Sequence, residues 1–154
     1  MSNFQTLANL SNYVLEQRNG LGTRVSDLIN NFLKTNTRVT YQLMVDSIND
    51  AITSSRTAGL GFPVSRVIVV RGDGTVVYQT NSSNTWNETD GVPDTITDNH
   101  NTRPEIMSSL LSTSGSSQGK RYSSTTSADT LYNSLRLGAS STEVGGTYRI
   151  STAA

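Results

Sequence analysis

The stretch Arg66–Thr80, RVIVVRGDGTVVYQT, decides the fold. Val67-Ile68-Val69-Val70 and Thr75-Val76-Val77-Tyr78 are rich in β-branched residues, which suit a pleated, half-buried surface. Gly72-Asp73-Gly74 between them supplies the turn chemistry of a hairpin. Strands joined this closely run antiparallel, so the sheet they begin is not the parallel sheet of an alternating β/α chain.

Downstream, residues 81–99 read as a polar loop. Thr102 and Glu105 have capping-box spacing and Pro104 suits a first turn, so a short helix follows, with Ile106, Leu110 and Leu111 on its apolar side. Ser112–Gly119 reads as a low-complexity linker. Arg121-Tyr122-Ser123, Leu131–Leu137 and Thr147–Ile150 read as three more strands. Leu131, Leu135 and Leu137 alternate with polar positions, as in a strand with one buried face.

Upstream the period changes to that of a helix. Phe4, Leu7, Leu10, Val14, Leu15, Leu21, Val25, Leu28, Ile29, Phe32 and Leu33 fall within roughly 140° of arc at 100° per residue. That phase survives Asn19-Gly20-Leu21-Gly22, a plausible helix stop. The favoured reading is one rod over residues 3–34, straight or kinked there, and about 45 Å long. A second stripe of Tyr41, Met44, Ile48, Ala51 and Ile52, with Val45 at its edge, predicts another helix from about Thr37 to Ser55. The expected organisation is a helical arm over 1–60 and an α+β domain over 61–154.

Composition narrows the function. Twelve basic and twelve acidic residues cancel, which argues against an electrostatic grip on nucleic acid. Ser, Thr and Asn number 22, 21 and 14, so any core must be compact. There is no Cys, which removes thiolate metal sites, disulfides and thiol catalysis. The N-terminus lacks the basic and apolar regions of a signal peptide, and no window approaches about 18 apolar residues. The chain as written reads as soluble, without a membrane span.

The candidate chemical motifs are weak. Arg71-Gly72-Asp73 spells an adhesion tripeptide, but the turn already explains those residues. Gly115-Ser116-Ser117-Gln118-Gly119 matches G-x-S-x-G without the strand and helix that a nucleophile elbow needs, and His100 precedes it. Glu88, Asp90, Asp94 and Asp98 line a loop but match no calcium-loop spacing. No metal, cofactor or catalytic activity is expected. His100 reads either as a solvated loop residue or as a pH-sensitive, ligand-contacting group. Trp86 either anchors an interface or pins its own loop.

The order of the motifs carries a resemblance. Gly72-Asp73-Gly74 and Val76-Val77-Tyr78 are followed by Asn99-His100-Asn101-Thr102-Arg103-Pro104-Glu105-Ile106. Then come Arg121-Tyr122-Ser123, Leu131-Tyr132 and Tyr148-Arg149-Ile150. Over residues 64–151 this resembles the extracytoplasmic sensor domain of phosphate-sensor-type (PhoR-like) bacterial histidine kinases, within the broader PAS/Cache class. The resemblance implies a five-stranded antiparallel PAS/Cache-like sheet with helices on one face. It also puts Arg103, Arg121 and Tyr132 near a pocket, with His100 close by. Membrane helices flank that family's domain. Here the first is replaced by a polar amphipathic helix and the chain stops at Ser151–Ala154.

Two functional expectations follow. The first is a non-enzymatic structural protein that self-associates or docks to other subunits, as in a virion or another extracellular assembly. Its interface would be Phe4, Leu7, Leu10, Val14, Leu21, Val25, Leu28, Phe32 and Trp86. The alternative is a soluble sensor domain for a small organic anion, or an adaptor to a sensor kinase, with Arg103, Arg121, Tyr132 and His100 at the ligand.

Overall fold

The structure is a computed structural model, and it describes residues 3–57, 66–72, 75–80, 86–87, 92–93, 116–123, 128–137 and 146–153. Three helices come first: α1 (Asn3–Glu16), α2 (Val25–Thr35) and α3 (Arg38–Thr57). Among the described residues seven strands follow: β1 (Arg66–Arg71), β2 (Val76–Gln79), β3 (Trp86–Asn87), β4 (Val92–Pro93), β5 (Ser116–Ser123), β6 (Ala128–Arg136) and β7 (Gly146–Ala153). The expected helix at 102–111 and the carboxylates Glu88, Asp90, Asp94 and Asp98 lie outside the described residues.

The single rod does not form. The Asn19 side-chain oxygen accepts the backbone N–H groups of Leu21 (2.9 Å) and Thr23 (3.1 Å). Gly22 takes φ +78°, a conformation that costs glycine little. Arg18 and Arg24 then face each other in an antiparallel bridge, so the chain reverses between α1 and α2. Across the reversal, Arg24 pairs with Glu16 at the end of α1 and Asp27 at the start of α2. Apolar phase records only which side of a helix is buried and is blind to the direction of its axis. Two helices turned toward one core can therefore share a phase.

The link from α2 to α3 is short. Asn36, in the left-handed region at φ 52°, closes α2 by donating its N–H to the Phe32 carbonyl. Thr37 opens α3 by accepting the Thr40 N–H on its hydroxyl. The α3 stripe is buried as its spacing predicts: Tyr41, Met44, Ile48, Ala51 and Ile52, with Val45 at the edge.

Five strands form one sheet in the order β2-β1-β7-β6-β5, with every neighbouring pair antiparallel. Two hairpins, β1/β2 and β5/β6, sit at the edges, and the last strand lies between them. Residues 116–119 belong to β5, paired with Tyr132–Leu135, and are not a linker. Ser, Gln and Gly carry little strand preference of their own, so the pairing partner sets their conformation. Ser117 lies inside β5, so the G-x-S-x-G stretch lacks the strand-to-helix turn of a nucleophile elbow.

Val67 and Val69 of β1, Val77 and Tyr78 of β2, and Leu131 of β6 join the helical residues in one buried cluster. A bulge at Val77, where Val69 faces Tyr78 but Val70 faces Val76, lets two successive β2 residues enter that cluster. At the far end of β1, the Arg71 guanidinium lies 5.5 Å from the Phe32 ring centre. It donates to the Leu33 carbonyl and to the Asn36 side-chain oxygen. That cation sits on the C-terminal end of α2, where carbonyl dipoles favour it. Arg71 thus anchors the sheet to α2 rather than serving as an adhesion motif.

Two predictions follow. Because α1 and α2 cover Val67, Val69 and Leu131, removing residues 1–35 should abolish cooperative unfolding. A truncated chain that still melts cooperatively would contradict the shared core. Burial pushes the Tyr78 hydroxyl up to about 12, and it pushes Tyr41 higher still, with Tyr78 adding to the effect. Both phenols are harder to ionise folded than unfolded, where the value is about 10. Their stabilising contribution should be intact below pH about 10 and should fall as pH rises toward about 12. Urea denaturation across that window checks this, and a flat profile would refute it.

Candidate functional site

Strand alternation separates the two faces of β5 and β6. Leu131 belongs to the helix-side core, and Asn133 accepts from Gln118, whose amide also donates to the Phe4 carbonyl of α1. Thr130, Tyr132 and Ser134 therefore face away from the helices. So do the β5 positions in register with them, Arg121, Gly119 and Ser117. The same alternation puts Ile68 and Val70 of β1 on this second face, where they cluster with Val76.

That face is not solvated. Thr130 is 1% exposed, and Tyr132 and Ser134 are 0% exposed. The alternation in β6 thus reports two buried faces, one of leucines and one of hydroxyl-bearing residues. Sequence reasoning missed Thr130 and Ser134 because a polar residue every second position normally marks the wet side of a sheet. Buried hydroxyls need hydrogen-bonding partners, and Thr130 and Ser134 each interact within the fold.

The site's charge is Arg121. Its guanidinium carbon lies 4.2 Å from the centre of the Tyr132 ring. Arg121 is partly buried, and the ring beneath it is wholly buried. The register explains the contact: Arg121 opposes Thr130 and Gly119 opposes Tyr132, so the arginine and the tyrosine are diagonal neighbours on one face. A guanidinium stacked on a ring keeps its N–H edges directed sideways, and Arg121 makes a further interaction of its own. Of the four residues expected at a ligand, the structure brings Arg121 and Tyr132 together. His100 and Arg103 lie outside the described residues.

The residues expected at an assembly interface are placed differently. Leu7, Leu10, Val14, Val25, Leu28 and Phe32 are buried in the chain's own interior, and Phe4 packs against them partly buried. Trp86 packs 5.8 Å from Phe32 and 5.2 Å from Tyr41, measured between ring centres, and so fastens β3 to α2 and α3. Leu21 alone of that set stands out, 83% exposed at the α1–α2 turn. The stripe that seemed to need a partner has one in α3 and the sheet.

A recess of about 130 Å³ lies between the α1–α2 turn and Ser47, Asp50 and Ser54 of α3. Its arginine, Arg18, donates to the Gly22 carbonyl at 2.7 Å and so holds the turn. Among the described residues no group of His, Asp or Glu could hold a metal ion, and no helix is long and apolar enough to cross a membrane.

No family model and no curated protein matches the chain. Among solved structures, it is similar to the sensor domain of the V. cholerae histidine kinase DctB, with a TM-score of 0.53 and 12% sequence identity. The match covers 97% of this chain and 54% of the other, so the chain spans about half the length of that structure. The likeness extends to the fold: a mixed α+β domain of the kind used in a kinase sensor.

Proposed function

We propose that the chain is a PAS/Cache-like sensing domain that binds a small organic anion on the sheet face opposite the helices. One observation carries the reading: a partly buried arginine stacked on a wholly buried tyrosine, flanked by buried hydroxyls. The fold likeness to a histidine-kinase sensor supports it. Arg121 supplies charge and paired donors, and Tyr132 holds the guanidinium in place. Arg103 and His100 are the further candidates for the ligand's remaining polar groups. The role is non-catalytic, and the partner of this reading is a sensor kinase, in the same polypeptide or in trans. Sensing is favoured over assembly because the apolar stripe that motivated assembly is spent on the chain's own core.

The test is a thermal-shift screen with acetate, succinate and benzoate. A ligand that binds only the folded state at 100 times its Kd adds about 2.7 kcal/mol. For a domain of this size that raises Tm by roughly 5–10 °C. Arg121→Ala should lose the shift while costing about 1 kcal/mol of unliganded stability, the scale of a stacked cation. A screen without any shift, or a shift that survives Arg121→Ala, would refute the assignment.

A further inference from the structure

The recess between the α1–α2 turn and α3 has a chemistry that the anion reading does not use. Its base is apolar: Val25 and Ala51 line it and are almost wholly buried. Its walls are polar and come from two parts of the chain. Gln17, Arg18 and Asn19 stand on the turn side, and Asp50 stands on α3. At roughly 30 Å³ per water in the liquid, a volume of about 130 Å³ matches about four waters, room for a compact ligand.

The turn wall is fixed. The Gln17 carbonyl accepts the Val25 N–H, and the Arg18 Nη1 is held on the Gly22 carbonyl. The Asn19 side-chain oxygen already takes two backbone N–H groups, so what that amide has left for the recess is its NH₂, a donor. Arg18 adds positive charge beside it, whichever of its N–H groups are engaged. The α3 wall is the reverse. Among the described residues no hydrogen bond or ion pair engages the Asp50 carboxylate, and none joins it to Arg18. Asp46, one turn earlier on α3, instead accepts from Gln42 and does not line the recess.

Two opposite charges that line one recess without pairing leave a gap that a molecule carrying both can span. We propose that the recess binds a compact zwitterion, with its ammonium on Asp50 and its anionic end toward Arg18 and the Asn19 amide. A lone ammonium would be repelled by Arg18 and a lone carboxylate by Asp50, so carrying both charges is what the site selects. The site lies apart from the β5/β6 face and stands independently of the organic-anion reading.

The experiment is a ¹H–¹⁵N NMR titration of the full chain with glycine and β-alanine, with methylammonium and acetate as single-charge probes. Saturable shifts at Asn19, Gly20 and Asp50 are expected with at least one zwitterion. Both single-charge probes should bind there at least about 10-fold more weakly. Asp50→Asn removes no contact within the fold, so it should melt like wild type. It should weaken zwitterion binding roughly 10- to 100-fold, the scale of a hydrogen bond between charged groups. Asp46→Asn should leave that binding unchanged. If Asp50→Asn folds poorly, the comparison of zwitterion and single-charge probes on wild type still decides. Undiminished binding in Asp50→Asn, an equal loss in Asp46→Asn, or a single-charge probe that binds as tightly as the zwitterions would overturn the site. Recess amides that stay unmoved by both zwitterions would overturn it as well.

Discussion

The structure depends on one apolar layer shared between three helices and a sheet. Leu7, Val14, Ile29, Phe32, Met44 and Ile48 on one side meet Val67, Val69, Val77 and Leu131 on the other. With only 34% of the chain apolar, most of the buried apolar side chains among the described residues are committed to this layer. Burying a large aliphatic or aromatic side chain is worth about 1.5–3 kcal/mol against a total stability of about 5–15 kcal/mol. Losing a few of these contacts would therefore remove the fold. Arg71 and Trp86 lock the layer at its rim, one by covering the end of α2 and the other by stacking on Phe32 and Tyr41.

Spending the apolar residues on that layer leaves the second face of the sheet to a different chemistry. Near β1 and β2 it is aliphatic, with Ile68, Val70 and Val76. Toward β5 and β6 it carries hydroxyls, a phenol and a guanidinium. The second face is thus aliphatic at the β1/β2 edge and polar at the β5/β6 edge. α1 packs behind the same region, against β6 and β7, and Gln118 touches both α1 and Asn133.

Elements defined by their own period were legible in the sequence. The hairpin around Gly72 and the stripe of α3 each rest on short-range pattern, and each stands where that pattern puts it. The rod over residues 3–34 was misread because Asn19 and Gly22 act through turn geometry, which leaves the apolar phase untouched. β5 was hidden because its residues prefer no conformation strongly and depend on β6. The contact between Arg121 and Tyr132 was not legible, because it depends on the β5/β6 register.

On the proposed reading, the sheet face opposite the helices receives a small carboxylate at Arg121. The most direct measurement is a ¹H–¹⁵N NMR titration with acetate and succinate, following backbone amides and the Arg121 Nε–H together. Saturable shifts concentrated at Gly119, Arg121 and Tyr132, with Gln17–Gly20 at the helical recess unmoved, are the predicted result. Shifts confined to the recess, or an Arg121 Nε–H that stays unchanged while other amides saturate, would contradict it.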